Sequence, residues 1–233
     1  MSQTLHHFGD SYTTVNDALT LTPIDNFVQI VVKNISMDYV NLGYCGGSNE
    51  MIFDIILRNA HEIKKNDIVF INFSFLTRGT YYDEINNKVD ATNTLYHEIY
   101  DKKYFEKANQ NQKLLHLIEY YLEYHKDYNF RIFKLYDDFF KFLIKEKNIK
   151  LYYMHIDDMD YIDNLLSVGA NIKFEKGFGG WLISNDYHKE EEGHYAKNIQ
   201  KILANIISDK TQNFANDENC YVTIEETKNY TNE

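Results

Sequence analysis

The order of the predicted elements indicates an α/β protein, a three-layer α/β/α sandwich with a mainly parallel sheet. Strand and helix candidates alternate along the first 73 residues, which is the order that builds a parallel sheet with helices on both faces. The third strand candidate is a continuous apolar run, as expected for a strand that is covered on both sides. With 233 residues, 44% of them apolar and 15% aromatic, the chain can also fill one large core.

Strands are predicted where short apolar runs end at a glycine or at a polar cluster. The four candidates are residues 3–8, 39–42, 68–73 and 150–155. The first run ends at Gly9 and the second at Gly43, and the polar residues that follow Gly9 cannot extend a strand. We expect the four strands to be parallel, since a helix candidate lies between each consecutive pair.

Helices are predicted where apolar residues recur at a spacing of three or four. The candidates are residues 24–35, 51–63, 109–147, 158–168 and 189–208. Pro23 suits the first position of the first helix, and Ser48 is the expected N-cap of the second. The third candidate contains Asp127-Tyr128-Asn129, which leaves a break in that helix open.

One domain is predicted for residues 1–209, because no linker rich in Pro, Gly or Ser divides them. The polar, tyrosine-rich stretch at about residues 79–108 has no clean period, and we interpret it as an insertion or lid over the strand ends. Residues 210–233 are expected to be an acidic C-terminal tail at the periphery, since residues 217–233 hold five acids and one Lys.

The charge balance argues against a nucleic-acid partner. The chain has 24 Lys and Arg against 35 Asp and Glu, which gives a net charge of −11. Phosphate contacts need clustered basic residues, and this chain has only three arginines. No apolar run approaches the ~20 residues that span a bilayer, so no membrane partner is expected either.

The first ten residues lack both the basic start and the apolar stretch of a signal peptide, which predicts a cytoplasmic protein. A virion component would share this property. The two cysteines are too few for a disulfide framework, and the histidines form no ligand-spaced cluster. We therefore expect neither a metal nor another cofactor.

Two glycine corners follow the first two strand candidates, where an open parallel sheet has its usable site. At Gly9-Asp10-Ser11 the chain can turn sharply and present the serine hydroxyl beside its own backbone N–H. After the second strand, Gly46 would let a backbone N–H approach a carbonyl, and Ser48 or Asn49 could add a side-chain donor. The simpler interpretation of each corner is a helix cap, and it stays open.

A third candidate segment precedes the last helix. His188 lies two residues after Asp186, and a carboxylate can hold the tautomer of a histidine that acts as general base. The alternative is a surface cap with an acidic first turn, which suits a helix dipole.

In this order, the three segments resemble the SGNH, or GDSL-type, esterase and lipase family, and the resemblance extends from Phe8 to Ile199. It implies the SGNH hydrolase fold with a flavodoxin-like sheet. It also implies that Ser11 is the nucleophile, Gly46 the oxyanion glycine, and Asp186 and His188 the acid and base of the triad.

The sequence departs from the family after the third strand, where the usual Gly-x-Asn-Asp is missing. It is more similar there to a divergent, phage-like branch in which a hydroxyl residue is followed four residues later by Arg, as Ser74 is by Arg78. Ser74 or Asn49 would then complete the oxyanion hole. Arg78 would be either a substrate clamp or part of a structural ion pair.

The final motif also departs from the family, because its spacing is Asp186-x-His188 instead of the usual Asp-x-x-His. Asn185 stands at the longer spacing, which leaves the identity of the acid open. His194, six residues after His188, is the competing base, and we favour His188.

The resemblance implies a serine esterase, and we expect it to remove O-acetyl groups from a carbohydrate. An acyltransferase or thioesterase of the same fold, or a non-catalytic binding member, remains an alternative. Residues 186–194 hold four acids and one Lys, so a polyanionic substrate should be repelled and a neutral glycan ester or small molecule favoured. The oligomeric state stays open.

Overall fold

The protein is described by a computed structural model at residues 3–9, 25–44, 47–74, 80–83, 88–91, 112–155, 166–185 and 197–231. The strands are β1 (Thr4–Gly9), β2 (Asp38–Gly43), β3 (Ile68–Phe73), β4 (Thr80–Asp83), β5 (Lys88–Ala91), β6 (Lys150–His155), β7 (Ala170–Phe174) and β8 (Cys220–Val222). The helices are α1 (Phe27–Asn34), α2 (Asn49–Asn59), α3 (Gln112–Lys147), α4 (Gly177–Ser184), α5 (Lys197–Thr211) and α6 (Ile224–Thr231).

Six of these strands form one sheet in the order β2-β1-β3-β6-β7-β8, and every neighbouring pair is parallel. The strands β4 and β5 make a separate antiparallel pair. The order of the first three strands is that of flavodoxin-like sheets. The predicted α/β sandwich with a parallel, flavodoxin-like sheet is confirmed.

The central strand β3 is buried along its whole length, which explains why its sequence does not alternate. On one face, Ile68 and Phe70 pack in a core with residues of α1, α4 and α5. On the other face, Val69, Ile71 and Phe73 pack with residues of α2 and α3. We call these the α1/α5 face and the α2/α3 face.

The chain changes direction across the sheet at β1, and this determines where a ligand can bind. From β1 the chain passes to β2 on one side, and then crosses to β3 on the other. In open sheets of this kind, the crevice outside the carboxyl ends of the strands at such a switch point is the usual ligand site. At this switch point Gly9 is the last residue of β1, and its register partner Asn72 is the next-to-last residue of β3.

Two of the predicted helices differ in extent from the structure. The helix α1 begins at Phe27 rather than near Pro23, because Asn26 is its N-cap and accepts the N–H of Gln29 at 2.8 Å. The helix α3 continues through residues 127–129 without a break. Although α3 has 36 residues, neither it nor another described helix is apolar enough over a sufficient length to cross a membrane.

The predicted insertion or lid at residues 79–108 falls largely outside the described residues. Its described part is the β4–β5 hairpin. The predicted short helix at residues 158–168 likewise lies mostly outside them.

The C-terminal segment is part of the sheet and the core, so the expectation of a peripheral tail from residue 210 is wrong. The strand β8 pairs with β7, and Val222 and Phe214 are buried. Thr223 and Glu226 form a capping box, in which each side chain accepts the backbone N–H of the other residue at 3.1 Å. One of the acids that suggested a solvated tail, Glu226, is therefore part of the cap at the start of α6.

The helix α6 is fixed to the core by a buried hydrogen bond, which gives a test of this correction. The indole Nε1 of Trp181 donates to Thr227 Oγ1 at 2.7 Å, and both side chains are fully buried. We expect Thr227→Val to lower the free energy of unfolding by about 1–3 kcal/mol, because the indole N–H loses its partner. Urea unfolding measures the change, and Thr227→Ser, which keeps the hydroxyl, should lose less. Equal losses in both variants would contradict this role of the bond.

Candidate functional site at the carboxyl edge of the sheet

Backbone hydrogen bonds hold the loop after β2 against the end of β1. The N–H of Tyr44 donates to the carbonyl of Gly9 at 2.8 Å, and the N–H of Gly47 donates to the carbonyl of Tyr44 at 3.0 Å. A Cβ atom at Gly47 would lie 3.2 Å from the Tyr44 carbonyl oxygen, closer than side chains normally pack. Gly47 directly follows Gly46, the predicted oxyanion glycine. The chain next to Gly46 is therefore tied to the end of β1 through Tyr44.

Asn49 connects the start of α2 to the end of β3. Its Oδ1 accepts the backbone N–H of Ser74 at 2.8 Å, and its Nδ2 donates to the Ser74 carbonyl oxygen at 3.1 Å. Both residues are about 1% exposed. The preceding residue, Ser48, is the N-cap of α2, as the sequence predicted, and its side chain accepts the N–H of Met51.

We call the two hydrogen bonds between the Asn49 side chain and the Ser74 backbone the Asn49 clamp. They limit which groups near Ser74 can bind an oxyanion. The backbone N–H of Ser74 and the Oδ1 of Asn49 are used by each other. The Nδ2 of Asn49 has a second hydrogen beyond the one it gives to Ser74. The structure thus brings together the two residues between which the sequence could not choose.

Tyr136 supports the clamp from the α2/α3 face. Its hydroxyl donates to the carbonyl oxygen of Asn49 at 2.6 Å, and its ring is fully buried. Burial, and then the charge of Glu50, raise the pKa of Tyr136 well above its usual value. The hydroxyl therefore keeps its proton and remains a donor.

The remaining predicted site residues lie outside the described residues. They are Ser11, Gly46, Arg78, Asp186, His188 and the alternative base His194. The described residue next to the acid is Asn185, whose Nδ2 donates to the Trp181 carbonyl oxygen at 2.7 Å. Asn185 thus binds the last turn of α4 with its side chain.

Two histidines near the carboxyl edge are held as neutral rings. His7 is fully buried, and its Nδ1 lies 3.0 Å from the hydroxyl of Tyr39, which also bonds to the side chain of Asn26. His155 stacks on Phe73 with ring centroids 4.8 Å apart. Burial lowers the pKa of each histidine to about 3. Neither ring is charged at neutral pH.

Sequence reasoning missed Asn72 as a candidate site residue. It is fully buried at the end of β3, and among the described residues neither its Oδ1 nor its Nδ2 has a hydrogen-bond partner. In the sequence, the signal for this residue was a single amide side chain inside the apolar run 68–73. That run was interpreted only as a buried strand. Most buried polar groups in proteins are paired, so this amide needs an explanation.

Comparisons with known proteins give a likeness to solved structures only. No protein-family model matches the chain, and neither does any curated protein sequence. Among solved structures, the chain is similar to a protein from Desulfitobacterium hafniense DCB-2 that is taken to be a lipolytic protein of the G-D-S-L family. The sequences are 15% identical, the match covers 87% of this chain and 96% of that one, and the TM-score is 0.33. So low a score gives no support for a function.

The Asn49 clamp predicts a loss of stability on truncation. Asn49→Ala removes two hydrogen bonds and leaves the buried N–H of Ser74 unpaired, so we expect a loss of about 2–4 kcal/mol in the free energy of unfolding. Urea denaturation measures it. The matched control is Asn59→Ala, which removes one half-buried bond to the Ile55 carbonyl and should cost less than half as much. A small loss at Asn49 would show that the clamp is weak.

The two neutral histidines predict that stability falls as pH falls below about 6.5. Unfolded imidazoles bind protons at about pH 6.5, whereas folded His7 and His155 stay neutral to about pH 3. The unfolded state therefore binds more protons in this window, and each histidine contributes a slope of about 1.4 kcal/mol per pH unit. Above pH 6.5 their contribution is fully present.

Urea unfolding between pH 7.5 and pH 5 measures this slope before most carboxylates titrate. Below pH 6, the slope of the free energy of unfolding against pH should be about 1.4 kcal/mol per pH unit smaller in His155→Phe than in the wild type. An unchanged slope in His155→Phe would mean that its ring protonates normally in the folded protein.

Proposed function

We propose that this protein is a serine ester hydrolase whose nucleophile, Ser11, follows the end of β1 at the switch point of the sheet. The observation that carries the proposal is the strand order, in which the ends of β1 and β3 flank the crevice where ligands bind in such sheets. The Gly9-Asp10-Ser11 corner begins at the last residue of β1. In the sequence, Ser11 follows the last residue of β1 by two positions.

The remaining triad members are proposed on the segment that leads into α5. His188 is the general base and Asp186 orients it, and both precede α5 by about ten residues. The helix α5 packs against α1, and Gln200 of α5 accepts the N–H of Phe27 at 2.8 Å. The segments that carry Ser11 and His188 therefore lead into two helices that contact each other on the same face of the sheet.

The reaction proceeds through an acyl-enzyme. The Oγ of Ser11 bonds to the ester carbonyl carbon while His188 takes its proton, and His188 then gives that proton to the leaving alcohol. Water attacks the acyl group with His188 again as base. The carboxylic acid product leaves, and the Ser11 hydroxyl is restored.

Three donors would stabilise the oxyanion. Two are the backbone N–H groups of Ser11 and Gly46, since the Gly46 segment is tied to the end of β1 through Tyr44 and Gly47. The third is either the Ser74 hydroxyl or the second Nδ2 hydrogen of Asn49, whose side chain binds the backbone of Ser74 directly after β3. One such donor typically changes kcat by about 10²–10³.

The proposed substrate is a neutral carbohydrate O-acetyl ester. Residues 186–194, which would hold the base, carry a net charge of −3, and this disfavours polyanions. Arg78 is proposed as a substrate clamp by its resemblance to the divergent branch, in which an Arg follows the hydroxyl residue by four positions as Arg78 follows Ser74. Its positive charge would bind a ring substituent better than it would bind an alkyl chain.

The proposal is tested by hydrolysis of p-nitrophenyl acetate and of an acetylated oligosaccharide. Ser11→Ala and His188→Ala should each lower kcat by at least about 10³, because the members of a triad act as a unit. A fluorophosphonate probe should label the wild type and His61→Ala but not Ser11→Ala.

One serine variant and one histidine variant serve as controls for the loss of activity. Ser208→Ala, in the last turn of α5, and His61→Ala, at an exposed side chain, should both keep the wild-type rate. Hydrolysis at the buffer rate together with no fluorophosphonate labelling of the wild type would falsify the proposal. Loss of activity in His194→Ala but not in His188→Ala would move the base to His194.

A further inference from the structure

We infer that α3 forms the interface of a homodimer, in which the outer side of this helix packs antiparallel against the same helix of a second copy. The interface is centred on the line of Arg131, Leu135, Asp138 and Phe142, which we call the outer stripe. None of these residues belongs to the proposed site, so the inference does not depend on the proposed function.

The outer stripe carries apolar side chains on the side of α3 that faces away from the sheet. The opposite side of the helix packs into the α2/α3 face through the buried residues Phe133, Tyr136, Phe140 and Leu143. Leu135 and Phe142 are each 56% exposed, although they lie nearly two full turns apart along one side of the helix. A helix that covers a core on one side usually has polar residues on the other. Two large apolar side chains in line there are typical of a contact surface.

The same line is marked in the sequence by a leucine or an aromatic residue at every seventh position of α3. These residues are Leu114, Tyr121, Tyr128, Leu135 and Phe142. The helix is continuous over all five positions, so they follow one another along one side of its backbone. A seven-residue repeat is the pattern that keeps one helix in contact with another along its length. The repeat therefore favours a helical partner.

The length of α3 exceeds what its own sheet can cover. Its 36 residues extend about 54 Å, whereas a six-residue strand such as β6 spans about 20 Å. Helices in water gain most of their stability by packing an apolar side against another surface. A second α3 supplies a surface of the same length and with the same repeat.

The charges in the outer stripe complement each other when two copies are antiparallel. Arg131 lies four residues before Leu135, and Asp138 lies three residues after it. Both are exposed, and neither forms an ion pair with another residue in the described part of the chain. A twofold axis beside Leu135 places Arg131 of each copy close to Asp138 of the other, and so forms the same ion pair twice. In a parallel pair, each charge would instead lie level with its own copy.

A lipid surface fits this stripe less well than a second copy does. Amphipathic helices that bind membranes carry basic residues beside the apolar side, and they rely on attraction to anionic lipids. Here Asp138 lies between the two exposed apolar residues, and the chain as a whole has a net charge of −11. The mixed signs of the stripe suit a copy of itself.

The test measures dimer dissociation of the full chain by sedimentation equilibrium. Arg131→Asp and Asp138→Arg each bring like charges together across the interface, so each should raise the Kd of the dimer at least about tenfold. The double variant exchanges the two charges and should return the Kd to within about threefold of the wild type. Only an antiparallel pairing of the chain with itself predicts this recovery. Both side chains are exposed, so these variants should keep the wild-type urea midpoint.

A second comparison tests the apolar part of the stripe. Leu135→Glu should raise the Kd by at least about a hundredfold, because it places two carboxylates beside the twofold axis. The matched control is Phe130→Glu. Phe130 is also on α3 and is 66% exposed, but it lies five residues before Leu135 and so on another side of the helix. This variant should keep the Kd within about twofold of the wild type.

Three results would overturn the inference. The first is a wild type that stays monomeric up to about 100 μM; if such a monomer binds vesicles of phosphatidylcholine and phosphatidylserine, the stripe belongs to a lipid surface. The second is a dimer whose Kd changes neither in the two charge reversals nor in Leu135→Glu, because its interface then lies elsewhere. The third is a weakened dimer in both charge reversals without recovery in the double variant, which excludes the antiparallel pairing.

Discussion

The register between β1 and β3 is the constraint on which the candidate site depends. It is fixed at the amino end of the strands by the buried carboxylate of Asp67, whose Oδ1 accepts the N–H of Thr4 at 3.1 Å and whose Oδ2 bonds to His6 Nε2 at 3.0 Å. A slip by one residue would break both contacts and turn every side chain of β1 to the other face. Five residues further along each strand, counted from Thr4 and Asp67, this register sets Gly9 opposite Asn72. The switch point is thus held from the opposite edge of the sheet.

The carboxyl edge is held in a different way, through amide side chains on backbone groups. Asn49 joins α2 to Ser74, and Tyr136 holds the carbonyl of Asn49 from α3. These groups are buried, so their bonds compete little with water and fix the strand end closely. A catalytic corner benefits from such support, because a misplacement of about 1 Å can cost a hundredfold in rate.

Local patterns predicted the parts of the fold that depend on neighbouring residues in the sequence. The continuous apolar run of β3 and the Ser48 cap of α2 were predicted because burial on both faces and helix capping leave local signals. The strands β7 and β8 were missed. They have five and three residues, with polar residues among the apolar ones, and they are stable only because they extend an existing edge. The pairing of Asn49 with Ser74 was equally invisible, since it joins residues 25 positions apart through backbone groups.

The acidic excess of the chain divides into two parts once the fold is known. In the C-terminal segment, Glu226 closes a capping box with Thr223 and pairs with Lys210, and these bonds lower the pKa of its carboxyl. Glu175 similarly accepts the N–H of Ile224. These carboxylates thus take part in the attachment of α6 to the rest of the domain. The acids at residues 190–192 have no such role in the sequence pattern, apart from a favourable position before α5. The acids at residues 190–192 are therefore the cluster that we expect to act on a charged substrate, because they lie beside the proposed base in the sequence.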